Sequence, residues 1–291
     1  MILALEIGGT RIRAAAATRQ ALRRLGECPT PADDFAAFAA ALRRFAGGAE
    51  AVALSVAGVV DPESGRITVA NIPALNGRAV AADLAAELGL PVGVWNDADC
   101  FALAEARHGA GRGHGNVFGI ILGTGVGGGL VLGGRLVQGP GGIAGEWGHG
   151  PVVRGPLALP CGCGQLGCLD TLGGARGLER LHHLLSGEDG TAPAIVAGWQ
   201  AGQAAASATV AEWLGLMGGH LAMLVNTLGA GVVPVGGGLA NAPALIAALD
   251  ERVRAGILRR VARPLVVPAT VGPDAGLLGA AEAGLDQYDQ A

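Results

Sequence analysis

Between Leu122 and Asp170 this 291-residue chain carries three chemical signals in one stretch. They are a glycine-rich turn (Gly123-Thr124-Gly125-Val126-Gly127-Gly128-Gly129), the element Gly145-Glu146-Trp147-Gly148-His149, and a cysteine cluster running from Cys161-Gly-Cys163 to Cys168-Leu-Asp170. Glycines after a strand let backbone N–H groups approach phosphate with no Cβ in the way. One such turn is as well explained by a plain hairpin. Here three follow apolar strands: Gly8-Gly9-Thr10, Gly123-Thr124-Gly125 and Gly236-Gly237-Gly238. Thr10 and Thr124 add hydroxyls for β- and γ-phosphate oxygens, and Glu6 before the first turn can hold Mg2+ directly or through water. The combination points to phosphoryl transfer with a structural metal.

His149 and the cysteines have the spacing H-x11-C-x-C-x4-C. One imidazole and three thiolates make a closed tetrahedral set, which suits structural rather than catalytic zinc; reduced free thiols are the bland alternative. Cys28 and Cys100 read as small buried hydrophobes. His114, His182 and His183 have no cysteine neighbours and are expected to be solvated.

Asp97 stands where the strand 91–95 gives way to a helix over 98–107. Capping that helix, worth about 1 kcal/mol, is its bland role. A carboxylate at the C-terminal end of a strand in an α/β lobe is also where ligand sites gather. Asp97 is therefore the expected base for a sugar hydroxyl. Phosphoryl transfer depends chiefly on positioning and charge stabilisation, so such a base acts largely by orienting the attacking oxygen.

Composition narrows the classes. All twenty basic residues are arginine. That excludes a Walker-type lysine on phosphate and a Schiff-base lysine. The net charge of -4 argues against a nucleic-acid partner. Apolar runs are interrupted by Gly, Pro or charge short of a membrane span, and no basic leader precedes the first strand, so a cytoplasmic protein without a membrane partner is expected. The chain is 51% apolar but only 3% aromatic, which predicts a close-packed, backbone-rich α/β core.

The elements that must position these groups read as follows. Strands are expected over 2–7 and 12–17, then a helix from Pro31-Ala-Asp-Asp34 through Arg44 with Phe35, Phe38 and Leu42 on one face. A strand 51–56, a helix 79–88 and the strand leading to Asn96-Asp97 complete a first lobe. Gly109 to Gly115 reads as a linker and hinge. The second lobe begins with strand 117–122, returns as 129–132 and 135–138, and is mostly helical from Leu172, notably over 209–228. The expected boundaries are 1–115 and 116–274, with a terminal helix 275–291 packing back on the first lobe. Each lobe opens with a strand hairpin around a Gly-Thr turn, a coarse internal repeat.

Glu6-Ile-Gly-Gly-Thr-Arg11, Asn96-Asp97-Ala-Asp, the turn from Leu122 to Gly129, and Gly145-Glu-Trp-Gly-His149 followed by the cysteine cluster together resemble the ROK family of bacterial sugar kinases and repressors, over nearly the whole chain. The resemblance implies a two-lobe, actin-like (ribonuclease H-like) ATPase fold and a homodimer. It also implies ATP-dependent phosphorylation of a sugar 6-hydroxyl with Mg2+, N-acetylglucosamine being the expected sugar. It assigns sugar contacts to Asn96, Asp97, Glu146, His149 and Asp170, with Gly58 and Asn71 in the neighbouring loops. It assigns nucleotide contacts to Glu6, Gly8, Gly9, Thr10, Arg11, Gly123, Thr124, Gly125, Val126, Gly127, Gly128, Gly236 and Gly237, and zinc to His149, Cys161, Cys163 and Cys168. Another hexose (glucose, N-acetylmannosamine or fructose) is the main alternative. A sugar-binding regulator without chemistry is the other. Against it, the first phosphate motif begins at Glu6, which leaves no room for the helix-turn-helix that family repressors carry ahead of it. The chain departs from the family pattern at Glu6 and Asp170, where Asp and Glu respectively are usual, and at Arg11, where Lys is.

Overall fold

The computed structural model describes residues 1–288; positions 289–291 of the expected terminal helix lie outside the described residues. In chain order the strands are β1 (Ile2–Ile7), β2 (Arg11–Ala17), β3 (Leu22–Pro29), β4 (Ala51–Val56), β5 (Val59–Val60), β6 (Ile67–Thr68), β7 (Val92–Asn96), β8 (Val117–Leu122), β9 (Val126–Leu132), β10 (Arg135–Val137), β11 (Val233–Gly236) and β12 (Val266–Pro268). The helices are α1 (Phe35–Arg43), α2 (Val80–Leu88), α3 (Asp97–His108), α4 (Asp170–Gly173), α5 (Ala175–Ser186), α6 (Ala192–Gln200), α7 (Ala204–Leu228), α8 (Pro243–Gly256) and α9 (Ala275–Tyr288). The chain divides into one compact unit of Met1–Ala104, Arg135–Ala144 and Val271–Ala291, and another of Glu105–Gly134 and Gly145–Thr270.

The first unit holds a sheet in the order β3-β2-β1-β4-β7. β1 pairs antiparallel with β2 around the Gly8-Gly9-Thr10 turn and parallel with β4, which pairs parallel with β7. Apolar runs such as Ala51–Val56 are buried along their whole length because the sheet is covered on both faces. Phe38 and Leu42 of α1 belong to the same buried cluster as Leu3, Leu5 and Leu54, while Phe35 is only partly buried. Asp34 caps α1 by accepting from the Ala37 N–H at 3.1 Å, so the helix starts at Phe35 rather than at the preceding proline. α9 lies so close that a Cβ at Gly284 would stand 2.7 Å from the Ala53 Cβ. Strand β3 escapes the sequence reading because its Arg-rich, half-exposed edge shows no apolar alternation.

The second unit contains β9-β8-β11-β12 in that order, the same arrangement as β2-β1-β4-β7. An antiparallel hairpin around the Gly-Thr turn is again followed by two parallel neighbours. The coarse repeat is therefore a repeat of topology. Pro234 sits in the middle strand, β11, where a missing N–H is costly. The structure accommodates it by interrupting the ladder to β8 between the bridge Val117↔Val232 and the pair Val235↔Ile120.

Two expectations about helices need correction. α7 is a 25-residue helix, long and apolar enough by length and composition to cross a membrane, contrary to the view that every apolar run is too short. It is the core helix of its unit. Trp213, Met217 and Leu221 are fully buried, and the Trp213 indole donates to the Gly173 carbonyl at 3.0 Å. His182 is buried rather than solvated, its Nδ1 lying 2.8 Å from the Thr209 hydroxyl across α5 and α7. The stretch 109–115 is tied back onto α3: the Ala110 N–H donates to the fully buried Glu105 carboxylate at 2.8 Å, and the Gly109 and Gly111 amides donate to the Glu105 carbonyl.

Candidate active site

In the first unit the end of β7 and the start of α3 form one polar corner. Asn96 is the N-cap in function: its Oδ1 accepts from the Ala98 and Asp99 N–H groups at 2.7 and 3.2 Å, and its Nδ2 donates to the Gly58 carbonyl at 2.9 Å. Both sides of the amide are thus used to lock the helix start onto the Gly58 loop. Asp97, the next residue, is at the first position of α3, with its Oδ1 accepting from the Ala98 N–H at 2.9 Å. A carboxylate there is favoured by the helix dipole. Capping therefore falls mainly to Asn96, not to Asp97 as sequence alone allowed.

Around the first glycine turn, the Gly8 N–H donates to the Arg11 carbonyl at 2.9 Å and the Thr30 hydroxyl donates to the Gly8 carbonyl at 2.7 Å. Gly9 faces Asn71, whose amide nitrogen would stand 3.2 Å from a Cβ there. The structure thereby brings together Gly9 with Asn71, and Gly58 with Asn96. Thr10 is exposed. Arg11 projects sideways into an exposed pair with Glu27 at 2.5 Å. Glu6 pairs through Oε1 with Arg13 at 2.5 Å, while its Oε2 is buried with no hydrogen-bond partner.

In the second unit the glycine stretch is shorter as a turn than expected. Only Gly123-Thr124-Gly125 turn; Val126–Leu132 is strand, with Gly127, Gly128 and Gly129 paired to β8. Those strand glycines serve close packing. A Cβ at Gly128 would meet the Trp147 ring at 2.8 Å, and one at Gly145 would meet the Gly128 carbonyl at 2.5 Å. Trp147 seals this contact: its indole N–H donates to the Gly127 carbonyl at 2.9 Å, and its ring stacks edge-on against Phe118 at 5.9 Å. The third glycine turn arrives at the second, since a Cβ at Gly237 would come within 2.5 Å of Leu122 and 2.7 Å of the Gly123 nitrogen. Gly237 has φ +86°, open to glycine alone at no cost.

Asp170 closes on the strand that leaves this turn, and Glu146 lies within the charge influence of Asp170 and His149. The Asp170 Oδ1 accepts from the Val126 N–H at 2.7 Å, and the Asp170 N–H donates to the Gly148 carbonyl at 2.8 Å. Burial raises the Glu146 pKa above the ordinary carboxylate value, with nearby His149 opposing the shift and Asp170 reinforcing it. The His149 Nε2 lies 3.9 Å from Glu146, and its Nδ1 lies 3.6 Å from the Cys161 sulfur. His149, Cys161, Cys163 and Cys168 offer four ligand atoms all within 4.8 Å of one another. Backbone donation from Gln165 pulls the Cys163 thiol down to about 7, whereas burial pushes Cys161 up to about 11. One nitrogen and three sulfurs at this separation fit a tetrahedral zinc ion.

Two features escape sequence reading. Trp147 is one; its place between two glycine-marked backbones was signalled only by the glycines flanking it. The other is an apolar cavity of about 370 Å3 in the second unit, lined by residues that include Pro193, Val196, Leu239 and Pro243, with Gln200 and Asn241 at its polar edge. It adjoins the third glycine turn through Gly238. No local motif marks it, because its walls come from α6, α8 and the segment before α8.

Comparison with known proteins identifies the family. The ROK family pattern matches residues 2–286. The chain is 36% identical over 295 residues to an N-acetylgalactosamine kinase of Shewanella sp. strain ANA-3, covering 97% of this chain and 96% of that one. It is 34% identical to the N-acetyl-D-glucosamine kinase of Salmonella paratyphi B, covering 97% and 98%. Among solved structures, a ROK hexokinase from Thermus thermophilus superposes with a TM-score of 0.88 at 34% identity, over 100% of this chain and 99% of that one. On these matches the chain belongs to the ROK family.

Proposed function

We propose that this ROK-family chain is a sugar kinase that transfers the γ-phosphoryl group of MgATP to the 6-hydroxyl of an N-acetylhexosamine, N-acetylglucosamine first. The observation that carries the reading is the corner at Asn96-Asp97. Asn96 fixes the helix start through Ala98, Asp99 and Gly58, and the next residue carries the Asp97 carboxylate at the first position of α3, directly after β7. The Salmonella and Shewanella relatives support the sugar class.

Bound MgATP supplies the phosphoryl group and the cation that neutralises its charge. The residues present fit both. Glu6 keeps a buried carboxylate oxygen without a partner, suited to a hard cation or its water. The apolar cavity beside Gly238 suits a nucleobase. In the first unit Gly8, Gly9, Thr10 and Arg11 serve phosphate, Gly58, Asn71 and Asn96 bind sugar, and Asp97 takes the hydroxyl proton and orients its oxygen. In the second unit the turn residues Gly123, Thr124, Gly125, Gly236 and Gly237 serve nucleotide, while Val126, Gly127 and Gly128, which the family pattern would add, are taken up by the strand and its packing. Glu146, His149 and Asp170 bind sugar there. His149 would bind zinc through Nδ1 while Nε2 faces the sugar side, so that the ion sets the orientation of a substrate contact without taking part in chemistry.

The expected sugar needs one amendment. N-acetylgalactosamine differs from N-acetylglucosamine only at C4 and joins the competitors on the strength of the Shewanella relative. ADP release with MgATP is the test, measured as kcat/KM across N-acetylglucosamine, N-acetylgalactosamine, N-acetylmannosamine, glucose and fructose. A preference for either of the first two supports the reading. A preference for a plain hexose moves the specificity, and no turnover on any sugar returns the regulator.

A further inference from the structure

Four charged residues of the first unit form a chain across β1, β2, β3 and the segment before α9. Arg13 bonds the Glu6 Oε1 through Nη2 at 2.5 Å, and its Nη1 lies 3.5 Å from the Asp274 Oδ1. Arg24 bonds the other oxygen of Asp274. Glu6 and Arg13 are cross-strand partners in the β1–β2 register, so the pair is built into the hairpin that carries the first glycine turn. Two of the three buried side-chain oxygens without a hydrogen-bond partner among the described residues belong to this chain: Glu6 Oε2 and Asp274 Oδ1. Arg13 therefore stands between two carboxylates and satisfies neither fully. A buried acceptor left without a partner carries its desolvation penalty uncompensated, so two of them flanking one guanidinium point to a second arrangement in which one of them is satisfied.

That state is reached by moving one group. If a divalent cation takes Glu6, the guanidinium beside it becomes a repelling neighbour. Arg13 then has an acceptor waiting, since closing 3.5 Å to a hydrogen bond satisfies the Asp274 Oδ1. We propose that Arg13 is an internal counter-ion of Glu6, a positioning residue that is displaced onto Asp274 when the catalytic cation binds. The inference rests on the reading of Glu6 as a cation ligand. It explains why a chain with Glu at this place tolerates an arginine directly opposite: the charge is neutral without nucleotide and is handed over with it.

Mn2+ binding to the full-length protein with a non-hydrolysable ATP analogue, read by electron paramagnetic resonance, tests this without turnover. Asp274→Ala removes the second acceptor and leaves Arg13 on Glu6, so Mn2+ affinity should fall, roughly fivefold or more. Arg13→Met removes the competitor, so affinity should rise by a similar factor, while the melting temperature without cation falls and Mn2+ restores it. Opposite signs in two variants are not what a merely structural salt bridge produces. Changes in the same direction, or affinities within about twofold of wild type in both, would overturn the proposal. Glu6→Gln separates the two levels. If it leaves Mn2+ affinity at the wild-type value, the cation role of Glu6 is wrong and the counter-ion falls with it. If it abolishes binding while the other two variants do nothing, only the counter-ion is wrong.

Discussion

The Asp170 carboxylate accepts the Val126 N–H at 2.7 Å, tying the end of the cysteine cluster to the first strand residue after the second glycine turn. A residue expected to contact sugar therefore spends one oxygen on the backbone that follows the second glycine turn and keeps the other free of that bond. Charge-assisted bonds of this kind are worth about 1.5–3 kcal/mol. Asp170→Ala should lower the melting temperature and weaken both sugar and nucleotide binding, measured by calorimetry on each ligand separately. Loss of sugar binding alone would mean that the turn does not need the clamp.

Gly125 makes the same point from the other side. A Cβ there would fall 2.3 Å from the Asp170 Oδ1, whereas the backbone at Gly125 has no positive φ to forbid a side chain. Gly125→Ala should therefore act by pushing Asp170 aside, with a larger effect on KM than on unfolding free energy. Gly145→Ala is the contrast, since its φ of +92° and a Cβ 2.5 Å from the Gly128 carbonyl add strain to a backbone clash. It should destabilise by several kcal/mol, as expected for a special backbone conformation lost with a steric clash, measured by urea unfolding.

Asp97→Asn should reduce turnover by about 10²–10⁴, the range for a positioned general base. Because Asn96 carries the bonds to Ala98, Asp99 and Gly58, the fold and sugar affinity should survive. ADP release against calorimetric sugar binding checks both halves; near wild-type turnover would remove Asp97 from the chemistry.

Zinc analysis should find one ion per chain, and its removal should lower the melting temperature sharply, since structural zinc in small finger peptides is worth roughly 10–16 kcal/mol. The pH dependence has a definite sign. Cys161, held at about 11, still carries its proton near neutrality and must lose it to bind metal. Cys163, at about 7, competes with protons chiefly below that value. Apparent zinc affinity should therefore rise with pH, more steeply below 7 than above. A pH-independent affinity would mean that the thiols are not the ligands.

By itself the sequence determined the local chemistry. Strand-glycine-threonine hairpins, the Asn96-Asp97 junction and the His149–cysteine spacing are short-range patterns, and backbone sterics and ligand geometry restrict what they can form. It also held the repeat of two hairpins, because each hairpin is contiguous. The tertiary structure alone decided which distant pieces meet: Gly237 against Leu122, Trp147 on Gly127, Asp170 on Val126, the apolar cavity lined from α6 to the start of α8, and the Arg13–Asp274 approach. It also buried His182, whose fate depends on Thr209 arriving from α7. Such contacts join residues tens to hundreds of positions apart. Their energies come from close packing and from polar groups that must be satisfied away from water, and neither leaves a mark on the local pattern.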